Sequence, residues 1–123
     1  MKLCLSILLI ALPVVVLAED TIRGTANAVY AAYQANEVAA DEKYKGKTLV
    51  LSGKVQNIGK DILGSPFVII GGTGMLDGVQ CMFAKSATSG LAKLSKGQSV
   101  TISGKCSGRV LGMQVLMSDC ALQ

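Results

Sequence analysis

Gly46 divides the chain into two hydrophobic periods. Before it, from Thr25 to Tyr44, an Ala-rich segment without Gly or Pro places Ala26, Val29, Tyr30 and Tyr33 at helical spacing. After it, apolar residues recur at every second position, as in strands with one buried face. Asn36 interrupts the helical pattern and suits the cap of a second short helix, because its side-chain oxygen accepts orphan backbone N–H groups. Glu37, Asp41 and Glu42 then fall towards the start of that helix and Lys43 and Lys45 at its end, as the helix dipole favours. Gly46 is its stop. These periods predict two packing helices followed by a small all-β unit.

Five strands follow. Leu49, Leu51 and Val55 alternate with Thr48, Ser52 and Lys54 in the first, with Gly53 at a bend. Gln56–Ser65 reads as a turn-rich connection, and Phe67–Ile70 as the second strand. Gly71-Gly72-Thr73-Gly74 makes a turn. Its glycine spacing does not match G-x-G-x-x-G and it leads to a strand, so a hairpin outweighs a phosphate-binding loop. Val79, Cys81 and Phe83 form the third strand, and Ser86–Leu94 a short helix ended by Gly97. Val100 and Ile102 lie on the fourth strand, 108–112 is a turn, and Met113–Leu122 is the fifth. Five strands with a helix between the third and fourth describe a Greek-key OB-fold barrel. That helix argues against an SH3-like barrel, and Gly53 and Gly104 suit barrel corners.

The 123 residues include 12 Lys and Arg against 8 Asp and Glu, and no His or Trp. One domain fits that length. Without His there is no Ser-His-Asp or Cys-His nucleophile and no imidazole-ligated metal. Met1-Lys2, the apolar run from Leu3 to Leu17 and the small residues up to Ala18 have the layout of a secretory signal peptide. The run has about 15 residues, short of the roughly 20 that span a bilayer, and Pro13 interrupts it. Cleavage after Ala18 is expected, with residues 19–45 as a helical segment packed on a barrel of residues 46–123. The expected location is the bacterial periplasm or the exterior, without a stable membrane anchor. Cys4 precedes the apolar run, where a lipid-carrying Cys would follow it.

Six stretches also carry a family resemblance. Asn36-Glu37-Val38-Ala39-Ala40-Asp41, Tyr44-Lys45-Gly46-Lys47 and Leu51-Ser52-Gly53-Lys54-Val55 resemble the opening of the tRNA-anti-like family of exported bacterial OB-fold proteins. Lys96-Gly97-Gln98, Gly104-Lys105-Cys106-Ser107-Gly108 and Asp119-Cys120 resemble its closing half. The resemblance covers roughly residues 26–122. It implies an N-terminal helical segment on an OB barrel, and assigns no ligand, because fold alone does not.

The cysteines read as staples. Cys81, Cys106 and Cys120 lie far outside Cys-x-x-Cys spacing, which a redox enzyme would favour. Three thiols without His fall short of the about four ligands zinc needs. No metal or cofactor is expected. In an OB barrel the fifth strand lies between the third and fourth, so Cys120 neighbours either Cys81 or Cys106. The short connection from the fourth strand favours Cys106–Cys120, a loop of about 15 residues whose closure is worth roughly 3 kcal/mol. Cys81 is then a buried free thiol.

The ligand surface of this fold is the face of strands two and three, flanked by the loops joining strands one to two and four to five. Lys60 and Arg109 fall in those loops, Lys54 and Lys105 close by, and Phe67 on the second strand. These five are the candidate ligand contacts. One strand-borne aromatic is no stacking platform for single-stranded nucleic acid, and Asp61, Asp77 and Asp119 are scattered without partners for paired acid–base work. A monomeric, non-enzymatic module that binds a protein, peptide or saccharide is therefore expected, ahead of a weak single-stranded nucleic-acid binder.

Overall fold

The computed structural model describes residues 21–74, 76–109 and 112–123. The signal-peptide expectation, including Cys4, falls outside them. The elements run β1 (Thr21–Thr25), α1 (Ala26–Ala35), α2 (Glu37–Tyr44), β2 (Thr48–Lys60), β3 (Pro66–Ile70) and β4 (Val79–Met82). A 3-10 turn (Lys85–Ala87), α3 (Thr88–Leu91), β5 (Ser99–Arg109) and β6 (Val115–Leu122) complete the chain.

The strands form one sheet in the order β1-β2-β3-β4-β6-β5, and a β2–β5 pairing closes β2 to β6 into a five-stranded barrel. β6 runs parallel to β4 and antiparallel to β5, so it occupies the slot between them that an OB barrel reserves for its last strand. Alternation fills the interior: Leu49 and Leu51 from β2, Val68 and Ile70 from β3, Val79 and Cys81 from β4, Ile102 and Cys106 from β5, and Val115 and Met117 from β6 are all buried.

The helix pair closes one barrel end. Thr25 caps α1 by accepting from the Ala28 N–H at 3.1 Å. Asn36 serves both helices: its N–H donates to the Ala32 carbonyl, and its Oδ1 accepts from the Ala39 N–H at 3.1 Å. Ala26, Val29 and Tyr33 of α1 and Ala40 and Tyr44 of α2 are buried in the barrel core. The Tyr33 and Tyr44 rings stack with centroids 6.3 Å apart, and Tyr33 Oη donates to Asp41 Oδ1 at 2.8 Å. Gly46 has φ of 80°, the left-handed conformation that ends α2. Among the described residues no helix is long and apolar enough to cross a membrane.

Three expectations need correction. β1 was not foreseen: its five residues pair in parallel with Thr48–Ser52 of β2, although four of them are exposed and carry no hydrophobic period. The connection expected at 56–65 is mostly strand, because β2 continues through a bulge between Val55 and Asn57 to Lys60 and only 61–65 turn. The third concerns sulfur. Cys106 and Cys120 are free thiols, and the Cys106 Sγ lies 3.7 Å from Tyr33 Oη. Directly across from Cys106 on β6 stands Met117, not Cys120.

Candidate binding face

The outer face of β3 and β4 alternates with the core. Phe67 and Ile69 of β3 pair with Met82 and Gln80 of β4, while Val68 and Cys81 point into the barrel. Phe67 also pairs with Gly59 of β2, and its ring covers that glycine so closely that a Cβ there would lie 2.8 Å from Cζ. Gln80 Nε2 donates to Met82 Sδ at 3.3 Å. The result is an apolar strip with one amide edge.

A rigid turn borders this strip. Asp61 Oδ1 accepts from the Leu63 and Ser65 N–H groups, each at 2.9 Å, and the Asp61 N–H donates to the Ser65 carbonyl at 3.0 Å. Gly64 takes φ of 80° to complete it. The tip residues Ile62 and Leu63 consequently project into water, at 102% and 74% exposure. Beyond the far ends of the strands, after the β5–β6 connection, Met113 is also exposed.

The five expected contacts do not converge. Lys60 pairs with Pro66 at the end of β2, next to Gly59 and hence to Phe67. Lys54 is six residues back, about 20 Å along the strand. It lies instead in a groove of about 930 Å³ on another side, with Asn27, Gly72, Gln98 and Thr101. Lys105 stands opposite Thr48, at the other end of the β2–β5 ladder from Lys54. Arg109 is turned away from solvent, its side chain 11% exposed. Its guanidinium lies over the Tyr30 ring at 5.8 Å, Nη1 donates to Gln34 Oε1 at 3.2 Å, and Nε faces Glu37 Oε1 at 3.9 Å. Arg109 therefore ties β5 to the helix pair. It is not an open anion contact.

Two of the three scattered acidic residues are also occupied, and Asp119 is exposed. Asp61 builds its turn, and Asp77 accepts from Tyr30 Oη at 2.9 Å and from the Gly74 N–H at 3.1 Å. The glycine turn between β3 and β4 is held by side chains. The Gly72 N–H donates to Asn27 Oδ1, and Gln56 Nε2 donates to the Gly71 and Gly74 carbonyls. The N–H groups of Gly71, Gly72 and Gly74 are thus engaged within the protein, as in a hairpin turn.

Sequence reasoning missed Ile62, Leu63 and Met113. The available signal was two aliphatics side by side between Asp61 and Gly64, in a segment where turn chemistry leaves no interior to enter.

Known proteins place this architecture. A protein from Klebsiella pneumoniae subsp. pneumoniae, provisionally named a nucleic acid-binding lipoprotein, superposes with a TM-score of 0.66. It is 18% identical, over 83% of this chain and 92% of that one. A Leishmania major protein provisionally named an aspartyl-tRNA synthetase matches at a TM-score of 0.51 and 11% identity. That match covers 91% of this chain but 22% of the larger one. At these identities the likeness is one of fold. No curated protein matches the sequence. The tRNA_anti-like family does match, over residues 14–121, and the chain belongs to that family.

Proposed function

We propose that this protein is a non-enzymatic binding module, acting after export, that holds a peptide or protein segment on the outer face of β3 and β4. The observation that carries this reading is the Asp61-built turn, which fixes Ile62 and Leu63 in solvent beside Phe67 and Met82. Each such aliphatic side chain gains roughly 1.5–3 kcal/mol when a partner covers it, and a preformed turn adds little ordering cost. A saccharide would instead call for a denser set of outward donors and aromatic rings than this strip offers.

One observation favours a second reading. Lys60 ends β2 one residue after Gly59, the residue that Phe67 covers, and a basic residue one step along the ladder from an aromatic suits a single-stranded oligonucleotide. Stacking on one ring supplies only about 1–3 kcal/mol.

Panning a displayed peptide library against the protein and against an Ile62→Asp, Leu63→Asp double variant tests the proposal. Peptides retained by the first and lost by the second support it. In parallel, a labelled single-stranded oligonucleotide is titrated at about 50 and about 200 mM salt. Binding that collapses with salt and in Lys60→Ala, with no peptide selected, overturns the peptide reading in favour of nucleic acid.

A further inference from the structure

Cys81 and Cys120 are brought together by a defect in the last strand. Alternation along β6 buries Val115 and Met117, and would send Asp119 inward next. Instead the register slips: Ser103 faces Ala121 while Lys105 faces Ser118, so β6 carries one residue more than β5. Asp119 absorbs the slip at φ of 51° and stays exposed. Cys120 takes the inward position. Bulges of this kind re-aim a side chain. The Cys120 Sγ packs over Gly104 of β5, where a Cβ would stand 2.6 Å from it. Gly104 is thus the clearance that admits the sulfur. On β4, the parallel neighbour of β6, the fully buried Cys81 stands opposite Met117, three residues before Cys120, and its thiol interacts with that of Cys120. The hydrogen bond with Cys120, together with burial, raises the Cys81 thiol well above the ordinary cysteine range.

We propose that Cys81 and Cys120 form an oxidisable pair, which closes a disulfide between β4 and β6 when the protein meets a disulfide-bearing oxidant. Cys120 is half-exposed and borders surface hollows beside Leu91 on one side and Met82 on the other. It is the thiol an oxidant reaches. Its thiolate attacks one sulfur of the oxidant, and a mixed disulfide forms as the other half leaves and takes up a proton. The Cys81 sulfur then attacks the Cys120 Sγ, expelling the second half, which leaves with the Cys81 proton. Two protein thiols are oxidised and one oxidant disulfide is reduced to two thiols. Burial of Cys81 assigns it the second attack.

The test treats the folded mature protein, residues 19–123, with oxidised glutathione. The expected product has lost two hydrogens and retains no glutathione. After denaturation in N-ethylmaleimide and proteolysis, one linked peptide joins Cys81 to Cys120, and Cys106 carries the maleimide. The oxidised form melts several degrees higher, and a reductant reverses the shift. Cys106→Ala gives the same linked peptide. A Cys106–Cys120 peptide, a persistent glutathione adduct at Cys120, or maleimide on Cys81, Cys106 and Cys120 alike overturns the assignment. The primary readout uses the unsubstituted protein, so a variant that fails to fold cannot imitate any of these results.

Discussion

The ring of Phe67 lies across Gly59 on the neighbouring strand, with Cζ 2.8 Å from where a Cβ would be. The two residues are directly paired between β2 and β3. Gly59→Ala therefore lifts the ring off the strand and costs on the order of 1 kcal/mol. In a Phe67→Ala background the same substitution costs clearly less, because the obstruction is gone. Urea denaturation of the four proteins in this cycle checks the coupling, and additive effects would sink it.

Asn36 offers a simpler expectation. Its Oδ1 accepts from the Ala39 N–H, and its own N–H closes α1. Asn36→Ala removes only the side-chain bond, and a lost cap costs about 1 kcal/mol. The denaturation midpoint should fall with an unchanged slope. A midpoint at the original value means that the α1–α2 junction does not depend on this cap.

Gly104 and Gly24 form an opposed pair of substitutions. A Cβ at Gly104 meets Cys120 Sγ at 2.6 Å, Met117 Cε at 2.9 Å and the Ser118 carbonyl oxygen at 3.0 Å. Two of these can rotate away, but the backbone oxygen can move only with β6. Gly104→Ala is expected to cost on the order of 3 kcal/mol. At Gly24, on β1, a Cβ meets nothing within 4 Å, and Gly24→Ala should change stability by less than about 0.5 kcal/mol. Thermal melts rank the two, and equal effects would contradict this account of the β5–β6 bulge.

Tyr33 sets an alkaline limit. Burial, then the hydrogen bonds to Asp41 and Cys106, raise its hydroxyl above the ordinary value. Near pH 10, about the usual tyrosine pKa, the unfolded chain releases this proton while the folded protein keeps it. The contribution to stability is thus complete below about pH 10 and is lost as pH rises beyond it. Tyr30 shifts in the same direction, through burial and its bond to Asp77. Tyr33→Phe should cost about 1.5 kcal/mol at neutral pH and flatten the fall between about pH 9 and pH 11. Urea midpoints across that range report both, and parallel slopes in the two proteins would remove Tyr33 as the cause.

The same residues show what a sequence exposes and what it hides. The helix pair was legible because Asn36, Gly46 and the spacing of Val29 and Tyr33 are local signals, and each does locally what its chemistry favours. Strand order was legible because five strands around one helix leave few arrangements. β1 was not, since Thr21–Thr25 carries no hydrophobic period, only Ile22 packs against the core, and backbone pairing with β2 aligns the rest. Nor was the inward turn of Cys120. Simple alternation sets Cys120 in phase with Leu116, and only the left-handed backbone at Asp119 shifts it into phase with Met117. Of the candidate contacts, Phe67 was placed on its strand from the hydrophobic pattern, whereas Lys60 was read as loop because the bulge that carries β2 on to it leaves no mark in the sequence. Arg109 was misjudged because its partners Tyr30, Gln34 and Glu37 are remote in sequence and meet it only once the helices cap the barrel.

The position of β6 between β4 and β5 has a consequence for synthesis. A ribosome that has released the chain only as far as Met113 leaves facing edges of β4 and β5 unpaired, with no sheet across the gap. Closure must wait for Val115–Leu122, so the barrel completes only once its last strand has emerged. Until then those edges are open to any chaperone or passing strand able to pair with them.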